Sequence, residues 1–137
     1  MGQPEELPPY AVGQLLRRAH TRAARAFGEA LAPLGITLAM EVGPELTEGK
    51  VWACGFGKNG KPELWIGSDG KTTPPMHVAI VVDSRAEVRA FYEAALRAGG
   101  RDNGPPGLRP QYHANYYGAF VLDPDGHNLE AVCHRPE

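Results

Sequence analysis

Cysteine is scarce: Cys54 and Cys133 are the two in a chain of 137 residues. They lie far apart and form no CxxC pair, which argues against a disulfide framework and suits reduced, buried thiols. A basic excess is missing too. Lys and Arg number 14 against 16 Asp and Glu, a formal net charge of −2 at pH 7. A general nucleic-acid binder carries a strong basic surplus, so no nucleic-acid partner is expected. No apolar run approaches the ~20 residues of a membrane span, and no membrane partner is expected. Residues 1–9, acidic and proline-rich, have neither the basic start nor the apolar run of a signal peptide, and position 6 lacks the Ser or Thr of a myristoylation signal. They read as a flexible arm. There is no Ser-His-Asp or Cys-His nucleophile signature and no phosphate-cradling glycine loop. What is left is a cytoplasmic globular chain, long enough to bury a core without staples.

The most informative stretch is residues 111–134. Asp123-Pro124-Asp125-Gly126 suits a tight turn, because proline presets the first central φ and glycine tolerates the exit conformation. Apolar, β-branched and aromatic residues on both sides make it a hairpin. Alternation puts Asn128, Glu130 and Val132 on one face of the second strand and Leu129, Ala131 and Cys133 on the other. Glu130 thus sits mid-strand among apolar neighbours, where a carboxylate must be paired, protonated or metal-bound. Pairing symmetric about Pro124 and Asp125 sets Ala119 opposite Glu130, leaving space before the carboxylate, and Tyr117 opposite Val132 as a wall.

Upstream, Leu16, Ala19, Ala23, Phe27, Ala30 and Leu31 recur at helical spacing, and the helix ends near Pro33 to Gly35. Arg17, Arg18, Arg22 and Arg25 fit a solvated helix face. Residues 36–42 read as a strand. Residues 51–56 and 63–66 flank Lys58-Asn59-Gly60-Lys61, whose Asn-Gly pair signals a hairpin. Residues 67–76, rich in Gly, Thr and Pro, divide the chain. Residues 77–83 are apolar on both faces, as in a covered strand. Ser84-Arg85-Ala86-Glu87 is a capping box, Val88, Phe91, Tyr92, Ala95 and Leu96 form the apolar stripe of the helix it opens, and Gly99-Gly100 ends it. Residues 101–110 form a long loop with Gly or Pro at 104 to 107, of the kind that is functional or mobile.

The halves resemble each other. Arg25-Ala26-Phe27-Gly28-Glu29-Ala30 matches Arg89-Ala90-Phe91-Tyr92-Glu93-Ala94 at five of six positions at an offset of 64, and Gly60 falls on Gly126 at an offset of 66. The expected fold is α+β, a tandem pair of βαβββ modules at residues 10–67, with a degenerate first strand, and 77–137, joined by the linker 68–76.

That plan, with the phrases Phe91-Tyr92-Glu93-Ala94-Ala95-Leu96 and Tyr117-Gly118-Ala119-Phe120-Val121-Leu122-Asp123-Pro124-Asp125-Gly126-His127-Asn128-Leu129-Glu130, resembles the vicinal oxygen chelate superfamily. Its members include glyoxalases, extradiol dioxygenases, fosfomycin-resistance transferases, an epimerase and bleomycin-binding proteins. The resemblance implies strands curled into a half-barrel, helices outside, around a small-molecule cleft, commonly in a homodimer. It also implies a divalent metal, Zn, Mn, Fe or Ni, held by one residue from the first and one from the last strand of each module. His77 and Glu130 match two such ligands; Gly13 and Leu64, at the repeat offsets, occupy the other two places and cannot ligate. A one-residue slip would bring Glu63 in for Leu64, and Tyr112, His113, Tyr116 or His134 would be the donors of a rearranged site.

Tyr112, His113, Tyr116 and Arg109 come from the loop and strand entry, where they either grip a ligand or pack the loop onto the sheet. Trp52 and Trp65 line a cavity or pack. Two functions follow: a small-molecule binding protein of this kind, with Tyr117, Ala119, Trp65, Arg109 and the loop aromatics as ligand contacts, or a metal-dependent lyase, isomerase or dioxygenase acting on vicinal oxygens. Between them lies a metal-free site with the His77 and Glu130 pair as acid and base.

Overall fold

The computed structural model describes residues 22–43, 53–67 and 74–137. The flexible arm, the first strand expected within 10–21, Gly13, Leu16, Ala19 and Trp52 lie outside the described residues. Helix α1 (Arg22–Leu31) runs into a 3-10 turn (Ala32–Leu34) that stops at Gly35, whose φ of 75° needs no Cβ. Strands β1 (Thr37–Val42), β2 (Ala53–Gly57) and β3 (Leu64–Gly67) form an antiparallel sheet in that order. Asn59 and Gly60, at φ 55° and 74°, make the turn between β2 and β3, as the Asn-Gly signal predicts.

Strand β4 (His77–Val82) leads to helix α2 (Arg85–Arg97), and β5 (Arg101–Asp102), β6 (Gly107–Leu108), β7 (Tyr117–Leu122) and β8 (Asn128–Cys133) complete the second sheet. Its order is β4-β8-β7-β5, with β6 also on β7, and β4 runs parallel to β8. The Ser84 half of the capping box forms: Ser84 Oγ accepts from the Glu87 amide at 3.2 Å, and its hydroxyl donates to the Glu87 carboxylate at 3.1 Å. The expected long loop is tied to the sheet edge, since β5 and β6 pair with β7 and Phe120 exchanges backbone bonds with Asn103 and Gly104.

One core joins the two sets of elements. Phe27, Leu31 and Leu34 meet Leu38, Cys54 and Phe56 from the first sheet, Val88, Phe91 and Ala95 from α2, and Ala119, Val121, Leu129 and Ala131 from the second sheet. Each fully buried Phe, such as Phe56 or Phe91, contributes about 2–3 kcal/mol through removal of its ring from water. The helices therefore cover one face of each sheet, and among the described residues no helix covers the other, called here the open face; the fold is α+β and its sheets are not closed into a barrel.

Three expectations need correction. The hairpin register is one residue off the symmetric pairing: Phe120 faces Glu130, Ala119 faces Ala131 and Tyr117 faces Cys133. The cause is the turn. Asp123 Oδ1 accepts from the amides of Asp125 and His127, and the Asp123 amide bonds the His127 carbonyl, so five residues span the bend. A one-residue slip flips every side chain, so Ala119 and Tyr117 face the helices and not the open face. Ala119 is buried in the core, and Tyr117 lies under Arg85, 5.1 Å from guanidinium to ring.

Second, β4 is covered on one face only. Val78 and Ile80 pack on the core, while His77, Ala79 and Val81 face outward. Third, the sheets correspond at an offset of 65. Cys54, Phe56, Leu64 and Ile66 pack on the core as Ala119, Val121, Leu129 and Ala131 do, and Gly55 faces Trp65 as Phe120 faces Glu130. The counterpart of Glu130 is thus Trp65; Leu64 points into the core, and Glu63 precedes β3.

Candidate functional site

Glu130 is the only acid buried in the open face of the second sheet among the described residues, with 1% of its surface exposed. β8 carries it at mid-strand, β4 brings His77 alongside, and β7 leads to Tyr116 just before its first residue. His77 Nε2 donates to Glu130 Oε1 at 2.8 Å, and the Tyr116 hydroxyl donates to Oε2. Both carboxylate oxygens are satisfied, which offsets the desolvation of the charge.

Gly118 makes the second bond possible. It lies between Tyr116 and Phe120 on the same face, and a Cβ there would stand 3.2 Å from the Tyr116 ring and 3.3 Å from Glu130 Oε2. The Tyr116 phenol is held well above its ordinary range, first by burial and then by its bond to the Glu130 carboxylate, against a smaller opposing effect of the Arg109 charge. It therefore serves as a donor at neutral pH. His77 is the outward member: its side chain is 54% exposed. With Nε2 given to the carboxylate, its proton-accepting nitrogen is Nδ1.

Around this triad stand other expected residues. Phe120 packs against His77, with ring centroids 6.2 Å apart, and carries the Arg109 guanidinium 5.4 Å from its own centroid. Tyr112, His113 and His134 surround the Tyr116 ring at centroid distances of 4.9, 5.4 and 5.3 Å. The Asn115 amide donates to His113 Nδ1, so His113 carries its proton on Nε2 and gives it to His134 Nδ1 at 2.8 Å. Trp65 is on the open face of the other sheet, over Gly55. Phe120 and Gly118 were missed because the five-residue bend is invisible to a symmetric pairing rule; the Asx bonds of Asp123 are its signal.

A second group of potential ligands sits at the hairpin bend, away from Tyr116. Asp123, Asp125 and His127 each bring one ligand atom within 4.8 Å of the others. The His127 Nδ1 there accepts from the Met76 amide, which leaves the proton on Nε2 and makes the ring a clamp between β4 and the bend.

Residues 32–131 match the family profile described as Glyoxalase/Bleomycin resistance protein/Dioxygenase superfamily. The chain belongs to that superfamily. Solved members of the glyoxalase/bleomycin resistance superfamily share its fold. A domain from Frankia sp. EAN1pec superposes with a TM-score of 0.60 at 18% identity, over 82% of this chain and 87% of that one. A protein from Albidiferax ferrireducens T118 gives 0.56 at 22%, over 84% and 88%. Glyoxalase I from Zea mays gives 0.58 at 22%, over 82% of this chain and 41% of the maize chain, so this chain spans less than half of that enzyme. No curated protein matches it.

The superfamily resemblance implies a divalent ion, and the donors that converge on Glu130 do not fit one. Among the described residues they are one imidazole, one carboxylate and one phenol held in its protonated form, the imidazole and the phenol each bonded to the carboxylate, and the counterpart of Glu130 is an indole. Catalytic divalent ions take three or more protein ligands.

Proposed function

We propose that this protein binds a small organic molecule on the open face of its second sheet, without a resident metal, and presents His77 Nδ1 to it as a proton acceptor. The supporting observation is the His77–Glu130–Tyr116 chain. A buried carboxylate between two donors fixes the imidazole ring and leaves Nδ1 as its acceptor nitrogen, the arrangement that general-base chemistry requires. Glu130 has no exposed surface to offer a ligand, so it orients and His77 touches. Where the bound molecule has an acidic hydrogen, the dyad takes it up; where it has none, the same geometry is a binding site. Phe120 supplies the apolar floor and Tyr112 and Tyr116 the wall. Val81 and Trp65, 65% and 45% exposed on the open faces, favour association of two copies in this proposal.

The test is a fragment screen on the isotope-labelled chain by two-dimensional NMR, with metal analysis of the same preparation. Ligand-induced shifts centred on His77, Phe120 and Tyr116, lost in His77→Ala, are expected. Near-stoichiometric metal abolished by both His77→Ala and Glu130→Ala would overturn the metal-independent reading, and hits confined to other surfaces would overturn the site.

A further inference from the structure

Arg109 is built into this face in a way that the His77–Glu130–Tyr116 chain does not use. Its backbone is tied down on both sides, by its amide to the Tyr116 carbonyl at 2.7 Å and by its carbonyl to the Tyr112 amide at 2.9 Å. Its guanidinium lies over Phe120, and one terminal nitrogen donates to the Pro105 carbonyl at 2.6 Å. Gly104 and Gly107 flank the fork: a Cβ at either would stand 3.2 or 3.1 Å from a guanidinium nitrogen. Gly104 also holds a φ of 146°, which a side chain disfavours.

The cation is thus placed, stacked and left bare of side chains. Among the described residues no carboxylate pairs with it, whereas Arg135 pairs with Asp83 at 3.1 Å. A guanidinium has five N–H donors, and the carbonyl uses one. A half-buried cation with free donors beside an aromatic floor is a receptor for a planar oxyanion.

Phe120 sets the direction, because both the Arg109 guanidinium and the His77 ring lie against it, 5.4 and 6.2 Å from its centroid. We propose that Arg109 anchors the ligand's carboxylate and that the ligand is a small organic monoanion, about the size of benzoate, whose body lies along Phe120 toward His77. The monoanion follows from the charge nearby. One guanidinium, with one nitrogen already engaged, matches two oxygens of a carboxylate, and the buried Glu130 charge disfavours a dianion on the same face. This rests on the site reading given under the proposed function and adds the class of ligand to it.

The full chain is titrated with benzoate, benzamide and phenylphosphonate, followed by amide shifts, as wild type, Arg109→Lys and Arg109→Gln. Wild type is expected to bind benzoate at least about tenfold more tightly than benzamide, with added salt weakening the first and not the second. Arg109→Gln brings benzoate down to the benzamide level, and Arg109→Lys keeps part of the preference. Phenylphosphonate binds no more tightly than benzoate. A benzoate preference that survives in Arg109→Gln, or is absent from wild type while benzamide shifts His77 and Phe120, overturns the anchor and leaves the site standing. Tighter binding of phenylphosphonate overturns the monoanion class. Shifts by none of the three at those residues overturn the anchor and the site together. The unperturbed spectrum of the remaining residues checks that both variants fold, and Arg109→Lys carries the test alone if Arg109→Gln does not.

Discussion

The bond between Tyr116 and Glu130 gives the sharpest test of the site's construction. Tyr116→Phe removes the hydroxyl and keeps the ring, so the contacts with Tyr112, His113 and His134 survive. Glu130 is then a buried carboxylate with one of its two donors gone. Hydrogen bonds to a charged group contribute about 1.5–3 kcal/mol, and because Tyr116 is itself partly exposed the lower end applies, about 1.5 kcal/mol. In a domain of this size that corresponds to a fall in Tm of roughly 5–7 °C. Urea unfolding of wild type, Tyr116→Phe, Glu130→Gln and the double variant closes a cycle that isolates the pair. A coupling of at least about 1 kcal/mol is expected. Tyr112→Phe, on a side chain 61% exposed, should stay within about 0.5 kcal/mol. A coupling below about 0.3 kcal/mol, or equal effects of the two phenylalanine variants, would refute the view that the hydroxyl holds the buried charge.

Three further outcomes are expected. Gly57→Ala should be among the most damaging single changes, about 3 kcal/mol or more by denaturant unfolding, because its Cβ would run into the Lys61 carbonyl of the β2–β3 turn, backbone that cannot swing aside. Ser84→Ala removes the side-chain acceptor at the start of α2 and should lower stability by about 1 kcal/mol with no change at the site. Burial, with help from the Glu41 carboxylate, pushes the Cys54 thiol up to about 11 from 9.0. The folded state then holds a proton that the unfolded chain releases, so this contribution is whole below pH 9 and is lost as pH rises toward 11. Thermal unfolding between pH 8 and 10.5 should show a steeper alkaline decline in wild type than in Cys54→Ala; parallel curves would discount the thiol.

The elements of this fold were legible wherever a local signal existed. Ser84 with Glu87 marked the start of α2, Asn59-Gly60 marked the first hairpin, and Glu130, amid apolar neighbours, announced itself as a charge in need of partners. His77 was legible as one of them through the resemblance of the chain to the vicinal oxygen chelate family. What misled was register. A single extra residue in the bend, stabilised by the Asp123 carboxylate, turned Ala119 and Tyr117 away and put Phe120 beside the acid. The same parity replaced Leu64 by Trp65 as the counterpart of Glu130. Turn chemistry acts over five residues but decides the facing of the six in β7 relative to β8. The proximity of Arg109 to Phe120 depends on the path of residues 101–108 along β7, which no periodicity encodes.

The parallel pairing of β4 with β8 also sets a timetable. Among the described residues β4 has β8 as its strand partner, and His77 and Glu130 are 53 positions apart. Such pairing closes a long loop before it gains anything, so it belongs to the late part of folding. During synthesis β4 emerges well ahead of β8, with its outward row of His77, Ala79 and Val81 and the ladder edge that β8 takes unmatched until β8 leaves the ribosome. Assembly of the His77–Glu130 contact therefore reports that β8 has docked on β4, and a copy interrupted before residue 128 would present β4 without its β8 partner in place of a site.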